Sequence, residues 1–218
     1  MERMNNAKKK AGFSVIIAVY DQAPELAEHL PSLLAQQYED YEVIVVDESS
    51  TDETADVLKQ MKDSHPQLYT TFLPKYHFQK NRRRLACTIG VKAAKHEWVI
   101  IADISTPPPS PQWLEELAQQ ADSTTTLMLG YISRKSGDMR LQTFSDVAQA
   151  RAVITKAERK RSRNGHRGKW FRRLRGKYDF IVVRTDSGHD LLRYFEVDLR
   201  GGRLTSYRLK SLFTYLKY

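Results

Sequence analysis

The chain predicts an open, mostly parallel α/β sheet flanked by helices, and three observations carry that expectation. Short β-branched runs, apolar nearly throughout, recur along the first two-thirds of the sequence, as strands covered on both faces should. Stretches with helical spacing of leucine separate them, and strands alternating with helices imply parallel pairing through right-handed crossovers. At 218 residues the chain is long enough to bury a sizeable core as one domain.

The elements follow in order. Ser14–Val19 and Tyr41–Val46 are the strongest strand candidates, and Tyr69–Leu73, Trp98–Ala102 and Thr126–Tyr131 are weaker runs of similar length. Pro24–Gln37 places Leu26, Leu30, Leu33 and Leu34 on one helical stripe, with Pro31 expected to kink it. Ser50 and Glu53 have the spacing of a capping box for a helix running through Met61. Arg83–Lys95 carries Leu85, Ile89 and Ala93 at helical spacing, and Ser110 with Pro111 opens another helix through Trp113, Leu114 and Leu117. Beyond Gly130 the texture changes. Leu141–Arg161 reads as one helix with Phe144, Val147, Ala148 and Ile154 on its apolar side. Phe180–Arg184 reads as a strand, and Tyr194–Leu199 with Leu204–Leu209 as a hairpin through Gly201-Gly202. The expected division is a core over 13–135 and a distinct C-terminal part over 136–218.

Hydrophobic content of 41% and charged content of 28% fit an ordinary globular protein, so the net charge of +9 matters chiefly through its location. Lys156–Lys177 holds eleven Lys and Arg against Glu158 alone, whereas the remaining sequence holds 24 basic and 25 acidic residues. The basic character therefore belongs to segment 156–177. No run approaches the roughly 20 apolar residues of a membrane span. Lys8–Lys10 before Phe13–Tyr20 faintly resembles a secretory signal but lacks a small-residue cleavage site. A single Cys87 excludes an internal disulfide framework, and the expected location is cytoplasmic, with peripheral attachment at the inner face of the membrane as the alternative.

In open parallel sheets ligands sit beyond the carboxyl ends of the strands. Three polar groups fall there: Tyr20-Asp21, Asp47-Glu48 and Asp103-Ile104-Ser105. Each alone is an ordinary turn former or helix cap, whereas three on one rim suggest a ligand site. Arg82, Arg83 and Arg84, at a helix start, could face phosphates, aided by the helix dipole. The six histidines show no metal-ligand spacing, and Cys87 sits on a helix as a packed residue rather than a nucleophile. The first strand is followed by neither a P-loop nor a Gly-x-Gly-x-x-Gly turn, which excludes the common kinase and dehydrogenase patterns.

FSVIIAVYD over 13–21, YEVIVVDESSTDET over 41–54, GVKAA over 90–94 and EWVIIADISTPP over 97–108, in this order and spacing, resemble glycosyltransferase family two, of GT-A fold. The resemblance covers 13–133. It implies a nucleotide-sugar donor, with uridine diphosphate as the nucleotide, transferred with inversion to a hydroxyl acceptor. The implied nucleotide-binding residues are Tyr20, Asp47, Glu48, Arg84 and Asp103. A carboxylate at Asp47 suits the uracil ring N–H, a donor that cytosine lacks. Asp103 and Ser105 stand where the family places an Asp-x-Asp for a divalent metal, Mg or Mn. Ser105 replaces the second acid, so a weakened metal site is expected. Glu48 and Ala18 are milder departures, standing where the family usually has Asp and Pro.

The family's acceptor half is not recognisable, and Asp186–Leu191 offers the nearest counterpart of its base motif, with Asp190 or His189 as the base. Aromatics Trp170, Phe171 and Tyr178 border the basic charges of 156–177. A solvated charged face is the plainest reading of that segment. Because such enzymes often use lipid-linked acceptors, an anionic membrane surface is the next expected partner, and nucleic acid ranks last. The rival functions are a non-catalytic nucleotide-binding relative and, behind it, a nucleic-acid-binding protein.

Overall fold

The computed structural model describes residues 10–74, 82–133, 136–146, 149 and 179–185. In chain order the elements are β1 (Phe13–Val19), α1 (Ala23–Leu34), β2 (Tyr41–Asp47), α2 (Thr54–Lys62), β3 (Leu68–Phe72), α3 (Arg82–Ala93), β4 (Trp98–Ala102), α4 (Trp113–Gln120), β5 (Leu127–Ile132), β6 (Met139–Phe144) and β7 (Phe180–Arg184). The strands form one seven-stranded sheet of order β3-β2-β1-β4-β7-β5-β6. β1 pairs in parallel with β2 and β4, and β2 with β3. β7 lies antiparallel between β4 and β5, and β6 antiparallel on the outer side of β5. β1 to β5 therefore all point one way, and the two later strands run against them.

The side-chain alternation of the strands feeds two apolar layers, because successive residues face opposite sides of a sheet. Val15, Ile17, Val43, Val45 and Ile100 meet α1 and α4 through Leu26, Leu30, Trp113 and Leu117. Ile16, Ala18, Ile44, Val46, Val99 and Ile101 meet α3 through Ala86, Cys87 and Val91. Every residue of β1 is buried, which explains why that run reads as continuously apolar. α3 approaches β1 very closely. A Cβ on Gly90 would stand 2.4 Å from Ile16 Cγ2, so only glycine fits that crossing. Across the second half of the sheet, Trp113 meets Phe180 edge to face at 5.0 Å, a contact worth about 0.5–1.5 kcal/mol beyond burial. No helix among the described residues is long and apolar enough to cross a membrane.

Two sequence expectations are corrected. The helix predicted from Leu141 begins instead as β6: half-buried Met139 and Leu141 alternate with exposed Arg140 and Gln142, in register with β5. Two-residue alternation with a waiting strand edge prevails there over helical spacing. The remainder of that predicted helix, apart from Ser145, Asp146 and Gln149, lies outside the described residues, as do the hairpin over 194–209 and segment 156–177. The capping box is also absent. α2 begins at Thr54, and its start is held by Asp52, whose Oδ1 accepts from Thr54 N (3.1 Å). Asp52 Oδ2 accepts from Ala23 N (2.9 Å), the first residue of α1. One carboxylate thus serves the amino ends of two helices.

Burial works to raise the Asp52 pKa, but the hydrogen bonds from Thr54 and Ala23 together hold it below the ordinary carboxylate value. A depressed folded-state pKa contributes stability that is complete above the unfolded value and is lost as pH falls through the folded one. Asp52→Ala should cost about 1 kcal/mol near neutral pH, about 2–4 °C in Tm for a chain of this size. The difference between the two proteins in thermal melts should shrink as pH drops below about 4.

Candidate functional site

The register of the sheet determines what meets at its carboxyl edge. Val19 lies opposite Asp47, and Ile17 opposite Ala102, so the chain leaves β1, β2 and β4 side by side. Tyr20-Asp21, Glu48-Ser49-Ser50-Thr51 and Asp103-Ile104-Ser105 are the segments that emerge. α3 follows β3 and begins at the same edge with Arg82.

Two residues on this rim adopt left-handed backbone, Asp21 at φ 49° and Ser49 at φ 67°. Neither is glycine, so each stores strain that the surroundings must hold. Asp21 Oδ1 accepts from Thr51 N (2.6 Å) and Thr51 Oγ1 (3.2 Å), while Asp21 N donates to Ser50 Oγ (3.0 Å). Ser49 Oγ donates to Leu73 O. The loops after β1 and β2 are thereby tied into one mesh. Nothing in sequence periodicity signals it beyond Ser49–Asp52, a run of residues whose side chains readily bond nearby backbone.

Asp47 is buried, and its Oδ1 accepts from Ser50 N (2.9 Å) and Ser50 Oγ (2.6 Å). Oδ2 has no partner among the described residues and remains an acceptor. Tyr20 stands at the end of β1 with half its surface open to solvent. Glu48 is buried, and its amide donates to Val19 O (2.8 Å), closing β1 against β2.

The three arginines divide. Arg82 is spent on the scaffold, its guanidinium donating to Glu48 O, Pro74 O and Ser49 Oγ. Arg83 turns to the carboxylates: Nη2 donates to Asp103 Oδ2 at 3.2 Å, and Nη1 stands 3.8 Å from Glu48 Oε1. Arg84 lies in α3, with its side chain outside the description.

Asp103 is buried, and Oδ1 accepts from both Ser105 N (2.9 Å) and Ser105 Oγ (2.6 Å). The loop carrying it is held from α1, where His29 Nδ1 lies 2.7 Å from Ile104 O. A carbonyl only accepts, so Nδ1 carries the proton. One turn along α3 from Arg83, burial pushes the Cys87 thiol up to about 12 against the lowering influence of Arg83. That excludes a reactive thiolate at neutral pH. Asp190 and His189 lie outside the described residues.

Asp103 and Ser105 do not fit a divalent cation as they stand. The carboxylate is engaged on Oδ1 by Ser105 and on Oδ2 by a guanidinium. Ser105 directs its hydroxyl hydrogen to the same carboxylate, and among the described residues no three His, Cys, Asp or Glu side chains gather as a cation-binding set. A hard cation needs several oxygen donors, preferably carboxylates, and one engaged carboxylate with a neutral hydroxyl falls short.

Comparisons with known proteins agree with this architecture. The family model described as glycosyl transferase family 2 matches residues 14–199. Poly-beta-1,6-N-acetyl-D-glucosamine synthase of Staphylococcus aureus is 26% identical over 102 residues, 46% of this chain and 23% of that protein. The chain thus spans less than a quarter of such a curated relative. Among solved structures, S. aureus TarS 1-349 in complex with UDP-GlcNAc superposes with a TM-score of 0.55 at 21% identity, covering 84% of this chain and 48% of that one. The mannosyltransferase PcManGT from Pyrobaculum calidifontis, in complex with GDP-Man and Mn2+, gives 0.56 at 18% identity, covering 84% and 47%. At such identities the likeness shows the fold, an open mixed sheet of GT-A type. With the family model matching most of its length, the chain belongs to glycosyl transferase family 2.

Proposed function

We propose that this chain binds a nucleoside diphosphate sugar at the carboxyl edge of β1, β2 and β4 and transfers the sugar to a hydroxyl acceptor. The observation that carries the reading is the meeting of Tyr20, Asp47, Glu48, Arg83 and Asp103 on one rim, held by the Asp21–Ser50–Thr51 mesh. It is supported by family membership and by the two superposed structures, which are complexes with UDP-GlcNAc and with GDP-Man and Mn2+.

In this reading Tyr20 offers an open ring face to the base, and Asp47 Oδ2 accepts the ring N–H of uracil, making uridine diphosphate the preferred nucleotide. Asp103 belongs to the ribose side, and Arg84 adds positive charge at the start of α3. Residues 13–135 hold the donor and 136–218 present the acceptor, with segment 156–177 meeting an anionic membrane surface. Asp190, with His189 beside it, serves as the base. It removes the acceptor proton as the acceptor oxygen attacks the anomeric carbon opposite the departing diphosphate, and configuration inverts. Among the described residues Mg or Mn would find Asp103 and Ser105 as protein donors, and these do not fit it as they stand.

Uridine diphosphate should raise the Tm of the full chain by mass action. Asp47→Ala should weaken its binding by about 1–3 kcal/mol, the worth of a charge-assisted hydrogen bond. Calorimetry that finds cytidine and uridine diphosphates binding equally well would remove the role given to Asp47. For catalysis, Asp190→Asn should lower sugar transfer or donor hydrolysis by roughly 10²–10⁴-fold while leaving uridine diphosphate affinity unchanged. Loss of both together would make Asp190 a binding residue instead.

A further inference from the structure

Asp103 and Ser105, which the family resemblance sets at a divalent metal, meet a guanidinium in this chain, with Arg83 Nη2 donating to Asp103 Oδ2. Arg83 reaches across to two carboxylates from separate strands, 3.2 Å from Asp103 and 3.8 Å from Glu48. The Asp103 side chain is 2% exposed, and Ser105 engages its other oxygen through both backbone and hydroxyl. A divalent cation arriving at Asp103 would meet a positive charge already seated there. It would have to displace Arg83 from a low-dielectric ion pair, and removing one partner from a buried pair is strongly unfavourable. Ser105 could repay that cost only with a neutral oxygen, where a carboxylate would bring charge.

Arg83 also retains donor capacity. A guanidinium carries five N–H groups. One Nη2 hydrogen bonds Asp103, Nη1 lies beyond hydrogen-bond distance of Glu48, and Nε is buried without a hydrogen-bond partner among the described residues. The side chain is 18% exposed, so it is partly open to solvent at the edge where the strands end. Arg82 differs, because backbone carbonyls and Ser49 already occupy it. A planar fork of N–H donors suits phosphate oxygens, and a fixed arginine carries its charge at every physiological pH.

We propose that Arg83 supplies the positive charge for the donor diphosphate, so that the nucleotide binds this chain without an added divalent cation. The proposal rests on the donor cleft described above. It assigns Arg83 as a donor-binding residue and explains why Ser105 suffices where the family resemblance implies an acid. Asp103, besides its place on the ribose side, then orients the guanidinium, and Ser105 orients Asp103.

The test is calorimetric titration of the full chain with uridine diphosphate in a chelator and, separately, with Mg2+ or Mn2+. Affinities agreeing within about threefold support the proposal. Binding that tightens about tenfold or more with either cation overturns it while leaving the donor cleft in place. No binding under any of these conditions overturns the donor reading itself, and the two failures are thereby separate. Arg83→Met, checked for folding by circular dichroism, should weaken chelator-stage binding about tenfold or more, and unchanged affinity would contradict the proposal. Should that variant not fold, Ser105→Asp decides. The added carboxylate should make binding respond to Mn2+ where the parent does not, and a parent and variant responding alike would overturn the proposal.

Discussion

The site depends on β1 being paired on both sides. A strand whose seven residues are all buried has no exposed face, and its parallel registers with β2 and β4 leave little freedom in where those strands end. A slip of one residue would turn Val15, Ile17 and Val19 from one apolar layer to the other and move Asp47 away from Val19. The close passage of Gly90 over Ile16 holds α3 at a fixed height, which brings Arg83 within reach of Asp103. The geometry of the rim is therefore inherited from packing below it.

Charge on that rim is arranged unevenly. Asp47, Glu48 and Asp103 are buried acids, and Arg83 lies against two of them, while Ser50 orients the third through its amide and hydroxyl. Buried charges persist only when paired or hydrogen-bonded, so each of these acids fixes the position of a neighbour. The strained residues Asp21 and Ser49 lie in the same mesh. Strain concentrated where three strand ends meet is what a pre-shaped binding edge requires, since a flexible rim would spend binding energy on ordering itself.

Much of this was legible beforehand. The strands β1, β2 and β4, the Leu26–Leu30–Leu33–Leu34 stripe and the strand at Phe180–Arg184 follow from local pattern, because their burial is nearly uniform or strictly periodic. β6 was not legible. Met139–Phe144 alternates only weakly, and its identity is decided by pairing with β5 rather than by its own residues. The acids at the strand ends could be named from sequence, but their bonds could not. That Arg82 would be spent on carbonyls and Arg83 on carboxylates depends on the rotation of α3, which neighbouring identical residues do not reveal. Likewise Ser50 offered a helix cap by spacing, whereas the bond to Asp47 and the left-handed turn at Ser49 drew it elsewhere.

The central claim is that the carboxyl edge of β1, β2 and β4 is where a nucleoside diphosphate docks. Titrating uridine diphosphate into isotope-labelled protein and following backbone amide shifts by NMR tests it most directly. The largest shifts should cluster at residues 19–21, 47–51, 82–84 and 103–106. Shifts centred instead on the opposite edge, around Glu42 and Lys95, or no shifts at a saturating concentration, would contradict the account.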